Sequence, residues 1–141
     1  MSVGQELTSH SSSSGPLVHC LYEPDTGSWQ YICADPATGK CAIIDPVLDF
    51  HPAHARTSTE SAEKLLGIVK QHGYDVQWIL DTHPHADHLT AAPYVRSQLG
   101  GKTAIGEKVA AVHGRVMGHD DYLRRDCGLE SEPFTIAIGK V

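Results

Sequence analysis

The sequence lacks the features that mark several large classes of protein. Its first 39 residues contain neither lysine nor arginine, whereas a mitochondrial transit peptide is rich in arginine and a secretory signal begins with basic residues. No apolar run approaches the roughly 18 residues of a membrane-spanning helix. The formal net charge of −6, with both signs interspersed, argues against a basic face for nucleic acid. We therefore expect a cytoplasmic protein without membrane or nucleic-acid partners.

Cysteine is scarce and irregularly spaced. The four cysteines, Cys20, Cys33, Cys41 and Cys127, form no C-x-x-C pair. In a reducing compartment, scattered cysteines are most simply buried thiols. We therefore do not expect them to be metal ligands.

The length of 141 residues and the apolar fraction of 40% are enough for one domain with its own core. No internal repeat and no interdomain linker is visible. Residues 1–16 are rich in serine and end in Gly-Pro, which predicts a disordered tail. A single domain is expected to follow over residues 17–141.

Apolar patterns and turn residues predict the secondary structure of the first half. Three short strands with tight turns, a meander, are expected at residues 17–23, 29–34 and 41–44. Residues 47–56 are expected to form a loop in which His51 and His54 are solvated. Thr57 and Glu60 have the spacing of a capping box, so they predict a helix start.

A helix and a buried strand are expected next along the chain. Apolar residues at positions 62, 65, 66 and 69 form a stripe that ends before Gly73. Residues 76–80 are apolar on both faces apart from Gln77, which predicts a strand buried on both sides. A second helix, capped by Thr90 and ended by Gly100-Gly101, should lead into a strand at 102–105. Weaker patterns predict helices at 107–116 and 120–126 and a strand at 134–138.

The most informative segment is Thr82–His88, which has three histidines and one carboxylate within six residues. Such ligands suit zinc, iron and similar metals. On an extended segment His83 and His85 project the same way, so one metal could bind both. Asp87 and His88 could hold a second metal about 3.5 Å away, as in two-metal hydrolases. Two histidines and one carboxylate on a single ion would instead describe a non-haem iron oxygenase.

This segment resembles the metal-binding signature of the metallo-β-lactamase superfamily. The resemblance also includes the runs at 29–34, 43–48, 81–90 and 99–106, and it covers about residues 17–109. Within the superfamily these runs look like the persulfide dioxygenase branch. That branch is related to glyoxalase II and oxidises glutathione persulfide to sulfite.

The resemblance implies an α/β (α+β) fold, the N-terminal half of a metallo-β-lactamase αββα sandwich. A persulfide dioxygenase would hold one Fe(II) per site, with His83 as the ligand from this motif and with His85, Asp87 and His88 surrounding it. A glyoxalase II-like enzyme would hold two Zn(II), one on His83 and His85 and the other on Asp87 and His88. Asp45 would be a carboxylate beside the ligands. No catalytic residue is assigned.

The resemblance also implies a substrate and a longer domain. The substrate would be a small thiol or persulfide based on glutathione, and a homodimer is compatible with the family. A family domain continues into a second half that supplies a histidine and an aspartate, so the chain is expected to be truncated at its C-terminus. Three functions stay open: a persulfide dioxygenase, a dinuclear-zinc thioester hydrolase, and a catalytically dead metal-binding fragment.

Overall fold

The computed structural model describes residues 15–83, 85 and 88–106. The predicted tail up to residue 14, the elements expected beyond residue 106, and Cys127 lie outside the described residues. In chain order the elements are β1 (Leu17–Glu23), β2 (Ser28–Ala34), β3 (Lys40–Ile44), β4 (Val47–His51), β5 (Arg56–Ser58), α1 (Glu60–His72), β6 (Asp75–Asp81), β7 (Leu89–Thr90), α2 (Ala92–Leu99) and β8 (Lys102–Ile105).

A five-stranded sheet with the order β1-β2-β3-β6-β8 organises the fold. The first three strands pair antiparallel, which confirms the predicted meander, whereas β6 and β8 add in parallel. Parallel neighbours need a crossover connection, usually a helix. Here α1 precedes β6 and α2 precedes β8. The mixed α and β architecture is therefore the one that the sequence predicted.

A hairpin replaces the loop that was predicted after β3. Strand β4 pairs with β5 on one side and with β7 on the other, which gives a second sheet with the order β5-β4-β7. The prediction was wrong because these strands are short, with three residues in β5 and two in β7, and most of their residues are only partly buried or exposed. The alternation of Leu48, Asp49, Phe50 and His51 is too brief to indicate a strand, and β5 has no apolar residue.

Helix α1 starts at a different cap from the predicted one. Thr57 lies in β5, and Thr59 occupies the N-cap without a side-chain bond. Instead the Asp49 carboxylate accepts hydrogen bonds from the backbone N–H of Ser61 at 2.8 Å and from its hydroxyl at 2.6 Å. That contact satisfies one of the free N–H groups of the first turn. The capping box was therefore wrong, but Gly73 ends the helix as predicted, with φ of 66°.

The second helix begins close to its predicted cap. The hydroxyl of Thr90 accepts a hydrogen bond from the backbone N–H of Ala92 at 3.1 Å, although Ala91 holds the N-cap position. Pro93 is in the first turn, where its missing N–H costs no hydrogen bond. Neither helix of the described chain has the length and apolar character of a membrane-crossing segment.

The core lies between the five-stranded sheet and the two helices. Ile32 and Ile43 are paired across β2 and β3 and are fully buried, as are Leu65 on α1 and Val95 on α2. Cys41 joins this cluster, and burial raises the pKa of its thiol to about 11. Cysteine therefore contributes a neutral packing group here, as the sequence suggested.

Strand β6 is buried on one face only within the described residues. Val76 and Ile79 point into the core, whereas Trp78 is 39% exposed on the other face. The prediction of a strand buried on both sides was therefore wrong, because among the described residues the helices pack on one face of the sheet.

Leu65→Ala tests the helix-to-sheet core. Leu65 has no exposed surface, so its truncation should lower the free energy of unfolding by about 2–5 kcal/mol. The matched control is Lys64→Ala, one residue earlier and exposed, which should change stability by no more than about 0.5 kcal/mol. Urea unfolding followed by circular dichroism measures both. Equal effects would show that α1 does not pack as described.

Candidate metal centre

The candidate metal centre lies where β3 and β6 end side by side. These parallel neighbours pair Ile44 with Leu80, so the residues that follow each strand emerge at the same edge of the sheet. Asp45 has the left-handed φ of 52°, which is uncommon outside glycine but is tolerated by aspartate. Its backbone N–H donates to the Leu80 carbonyl at 2.8 Å. This turn directs the Asp45 carboxylate towards the histidine segment.

The Asp45 carboxylate is the acceptor that joins the two strand ends. It accepts hydrogen bonds from the backbone N–H and the hydroxyl of Thr82, both at 2.8 Å, and from Nε2 of His85 at 3.0 Å. Burial alone would raise the pKa of Asp45, but the bonds from His85 and Thr82 outweigh it and lower the pKa. The side chain is therefore a buried, ionised carboxylate.

His85 lies between two carboxylates. Its Nε2 is 3.0 Å from Asp45 and 3.4 Å from Asp81, and because an ionised carboxylate can only accept, Nε2 carries a proton. Nδ1 is the nitrogen that remains for a metal, and ligating histidines usually donate their other N–H in this way. Burial opposes the imidazolium form, but the two carboxylates raise the pKa of His85 to about 9. The same negative surroundings favour a metal cation.

His83 and His88 each have one ring nitrogen engaged. The Thr82 hydroxyl gives its only hydrogen to Asp45 and so accepts from Nδ1 of His83, at 2.8 Å. Nδ1 of His88 donates to the Leu89 carbonyl at 2.8 Å. In both histidines Nε2 is left as the possible ligand atom. The hydrogen bonds therefore fix the ring nitrogen that each histidine can offer to a metal.

Three of these side chains lie close enough together to build one metal site. One ligand atom each from Asp45, His83 and His85 lies within 4.8 Å of the others. Two atoms bound to a metal at about 2.1 Å are at most about 4.2 Å apart, so this spacing is close to that of a shared site, in which His85 binds through Nδ1 and Asp45 accepts from its Nε2. The donor set therefore fits zinc or iron.

Of the second predicted pair of ligands, Asp87 and His88, the structure describes only His88. The rings of His85 and His88 stack with centroids 4.0 Å apart, and the His83 and His85 centroids are separated by 4.4 Å. Asp87 lies outside the described residues. The assignment of His83, His85, Asp87 and His88 as metal ligands, with Asp45 beside them, stays a prediction.

Sequence reasoning gave no role to Asp81 and Thr82. Asp81 is buried at the end of β6, approaches His85 and accepts a hydrogen bond from the Thr90 hydroxyl, which is 3.0 Å from each of the two carboxylate oxygens. The available signal was its place four residues before His85, at the end of an apolar strand. Thr82 carried no pattern of its own, because its role depends on Asp45, which is 37 residues away in sequence.

A cleft of about 890 Å³ opens beside the centre. His85 and His88 line it, together with apolar side chains that include Leu48, Phe50 and Leu89. This volume lies in the range of small-molecule sites, about 300–1,000 Å³. The centre therefore faces a space that can hold a substrate.

The turn between β1 and β2 forms another wall of this cleft through Asp25 and Thr26. Glu23 fixes the turn, because its carboxylate accepts from the backbone N–H of Asp25 at 2.7 Å and of Thr26 at 2.9 Å, and also from the Thr26 hydroxyl. Burial would raise the pKa of Glu23, but these bonds, together with the charge of His88, lower it below 4.5.

Comparison with known proteins identifies relatives of the chain. A family model described as the metallo-beta-lactamase superfamily matches residues 23–133. The beta-lactamase hydrolase-like protein of Agrobacterium fabrum is 52% identical over 101 residues, which are 72% of this chain and 23% of that protein. The mitochondrial persulfide dioxygenase ETHE1 of Bos taurus is 31% identical over 103 residues, which are 72% of this chain and 36% of that protein.

A solved structure supports the same fold. The crystal structure of ETHE1 from Myxococcus xanthus matches with a TM-score of 0.51 and 27% identity, over 61% of this chain and 33% of that chain. This likeness and its partial coverage confirm the predicted N-terminal half of a metallo-β-lactamase sandwich. The chain spans 23% of the length of the Agrobacterium protein and 36% of the length of the bovine protein.

Asp81→Asn tests the carboxylate behind His85. Loss of this charge should weaken metal binding about 10- to 100-fold, the usual cost of removing a partner of a ligating histidine. Asp75→Asn is the matched control, because Asp75 begins the same strand and is exposed. Competition with a chromogenic chelator measures both affinities. An unchanged affinity in Asp81→Asn would remove Asp81 from the centre.

Glu23→Gln should be less stable than the wild type at pH 7. The pKa of Glu23 is lowered in the folded state, so the ionised carboxylate stabilises the folded protein at pH values above 4.5. This stabilisation is lost as the pH falls from 4.5 through the lowered pKa. The stability gap between wild type and variant should therefore narrow in acid. Urea unfolding at pH 7 and at lower pH measures the gap. A constant gap would contradict the prediction.

Proposed function

This chain belongs to the metallo-β-lactamase superfamily, and we propose that it carries a metal centre that acts on glutathione persulfide. In this reaction the persulfide, O2 and water give glutathione and sulfite, so the outer sulfur is oxidised while O2 is reduced. The observation that carries the proposal is the hydrogen-bonded arrangement of His83, His85 and Asp45, which leaves one nitrogen of each ring for a metal. The relatives named persulfide dioxygenase support the choice of reaction.

The residues of the chain have separate tasks in this proposal. When bound, Fe(II) would supply the open coordination positions at which a dioxygenase brings O2 and substrate together. His83 would hold the ion through Nε2, and the Thr82 hydroxyl would keep that ring in one tautomer. Asp45 and Asp81 would orient His85 and place negative charge behind the centre. The cleft wall of Leu48, Phe50 and Leu89 would exclude water from the substrate.

The alternative is a thioester hydrolase with two zinc ions. It is favoured by the stacking of His85 and His88, with ring centroids 4.0 Å apart, and by the relative that is named hydrolase-like. Zinc would lower the pKa of a bound water to about 7 and so supply hydroxide at neutral pH. In that case His88 would be a ligand and Asp87 would share its ion.

Metal content separates the two functions. We expect the 141-residue chain, reconstituted anaerobically with Fe(II) and Zn(II) in competition, to retain one iron, and we expect His83→Ala to lose it. His72→Ala is the matched control, because this exposed histidine ends α1, at the opposite end of β6 from the centre. Elemental analysis after gel filtration gives the ratio. Two zinc ions and no iron would favour the hydrolase, and no bound metal would contradict both.

A further inference from the structure

The hairpin of β4 and β5 carries an unassigned cluster of basic side chains. His51, His54 and Arg56 line a second cleft of about 360 Å³, and His51 pairs directly with Arg56 across the hairpin. Arg56 is the only lysine or arginine between Lys40 and Lys64. In a chain with a net charge of −6, this cluster is a local concentration of groups that can bind an anion.

Arg56 has no carboxylate partner among the residues that the structure describes. No ion pair or side-chain hydrogen bond joins it to them, and its side chain is exposed. The guanidinium group has a planar set of donors that matches a carboxylate in a two-bonded geometry. Its donors are therefore available to a ligand.

The basic cluster is continuous with the metal centre. His51 lines both clefts, so the cleft that is lined by His85 and His88 adjoins the cleft that is lined by Arg56. The Ser58 hydroxyl, on the paired strand, lies 3.3 Å from Nε2 of His51 and holds the ring at this junction. A ligand of small-peptide size could therefore have one end at the metal centre and the other at Arg56.

The hairpin has a defined shape at this position. Ala55 adopts a left-handed φ of 48°, and the turn is closed by hydrogen bonds from His54 N–H to His51 O at 3.1 Å and from Ala55 N–H to Pro52 O at 3.4 Å. A non-glycine residue in this conformation is strained, and such strain is concentrated at functional sites. The Asp49 contact with Ser61 ties the base of the hairpin to α1.

We propose that Arg56, with His51 and His54, binds a carboxylate of the substrate. The substrate class is then an anionic thiol compound that carries its carboxylate away from the sulfur, as glutathione does, and neutral thiols are poor substrates. The sulfur lies at the histidines of the centre while the carboxylate lies at the hairpin. This inference rests on the proposed function only for the statement that the sulfur of the substrate reacts at the metal centre.

S-Methylglutathione is a suitable probe, because its blocked sulfur cannot bind a metal as a thiolate. We expect calorimetric titration of the 141-residue chain to show binding that is about fivefold weaker in Arg56→Gln, the size of one exposed charge contact. Lys64→Gln, an exposed charge on α1 outside both clefts, should bind as the wild type does. Circular dichroism verifies that both variants are folded.

The ester of the probe completes the test. Esterified S-methylglutathione has no free carboxylate, so it should bind the wild type and Arg56→Gln equally weakly. Esterification of the probe and substitution of Arg56 both remove the contact between the carboxylate and the guanidinium group. The inference is overturned if Arg56→Gln binds S-methylglutathione as the wild type does, if the ester binds as well as the acid, or if the wild type does not bind the probe.

Titrations with and without metal separate this inference from the proposed function. If the chain binds no iron or zinc but its binding of S-methylglutathione still depends on Arg56, the proposed function fails and the carboxylate site stands. If metal binding is as proposed and the Arg56 variant has no effect, only the carboxylate site fails.

Discussion

The hydrogen bonds of the Asp45 carboxylate are the constraint on which the candidate centre depends. They connect the end of β3 to the segment after β6 and fix both Thr82 and His85. Through Thr82 they also determine the tautomer of His83. The left-handed backbone of Asp45 is what directs the carboxylate to all of these donors. One buried charge thus sets the orientation of two histidines from a different strand.

The parallel pairing of β3 and β6 gives this arrangement its rigidity. Asp45 directly follows β3 and Asp81 ends the neighbouring β6. One face of this sheet packs against the helices. Both carboxylates lie behind His85, so the negative charge is on the sheet side of the histidines. Arg56 lies on the hairpin and lines the adjoining cleft. This separation of charge would orient an anionic ligand, with its carboxylate away from the centre.

Much of the sheet could be predicted from the sequence, because its strands alternate or are bounded by clear turns. The histidine motif was recognisable as a metal site because its possible ligands are neighbours in sequence. The hairpin was missed because its strands are short and β5 has no apolar residue, so the apolar pattern is too brief to indicate a strand. The role of Thr82 was missed because it comes from a contact with Asp45, distant in sequence, and the cap of α1 was misjudged because Asp49 supplies it from another element.

The hairpin leaves the fold just after Asp45 and returns just before α1, and the contact between Asp49 and Ser61 closes its base. Its tip can therefore change in length or composition without displacing either strand end that carries the carboxylates. If the proposed function and carboxylate site hold, selection on the tip would alter which molecules bind, while selection on the strand ends would alter the chemistry. The two properties can evolve separately, and an exchange of this segment between relatives would be a way to transfer a preference for one substrate onto an unchanged centre.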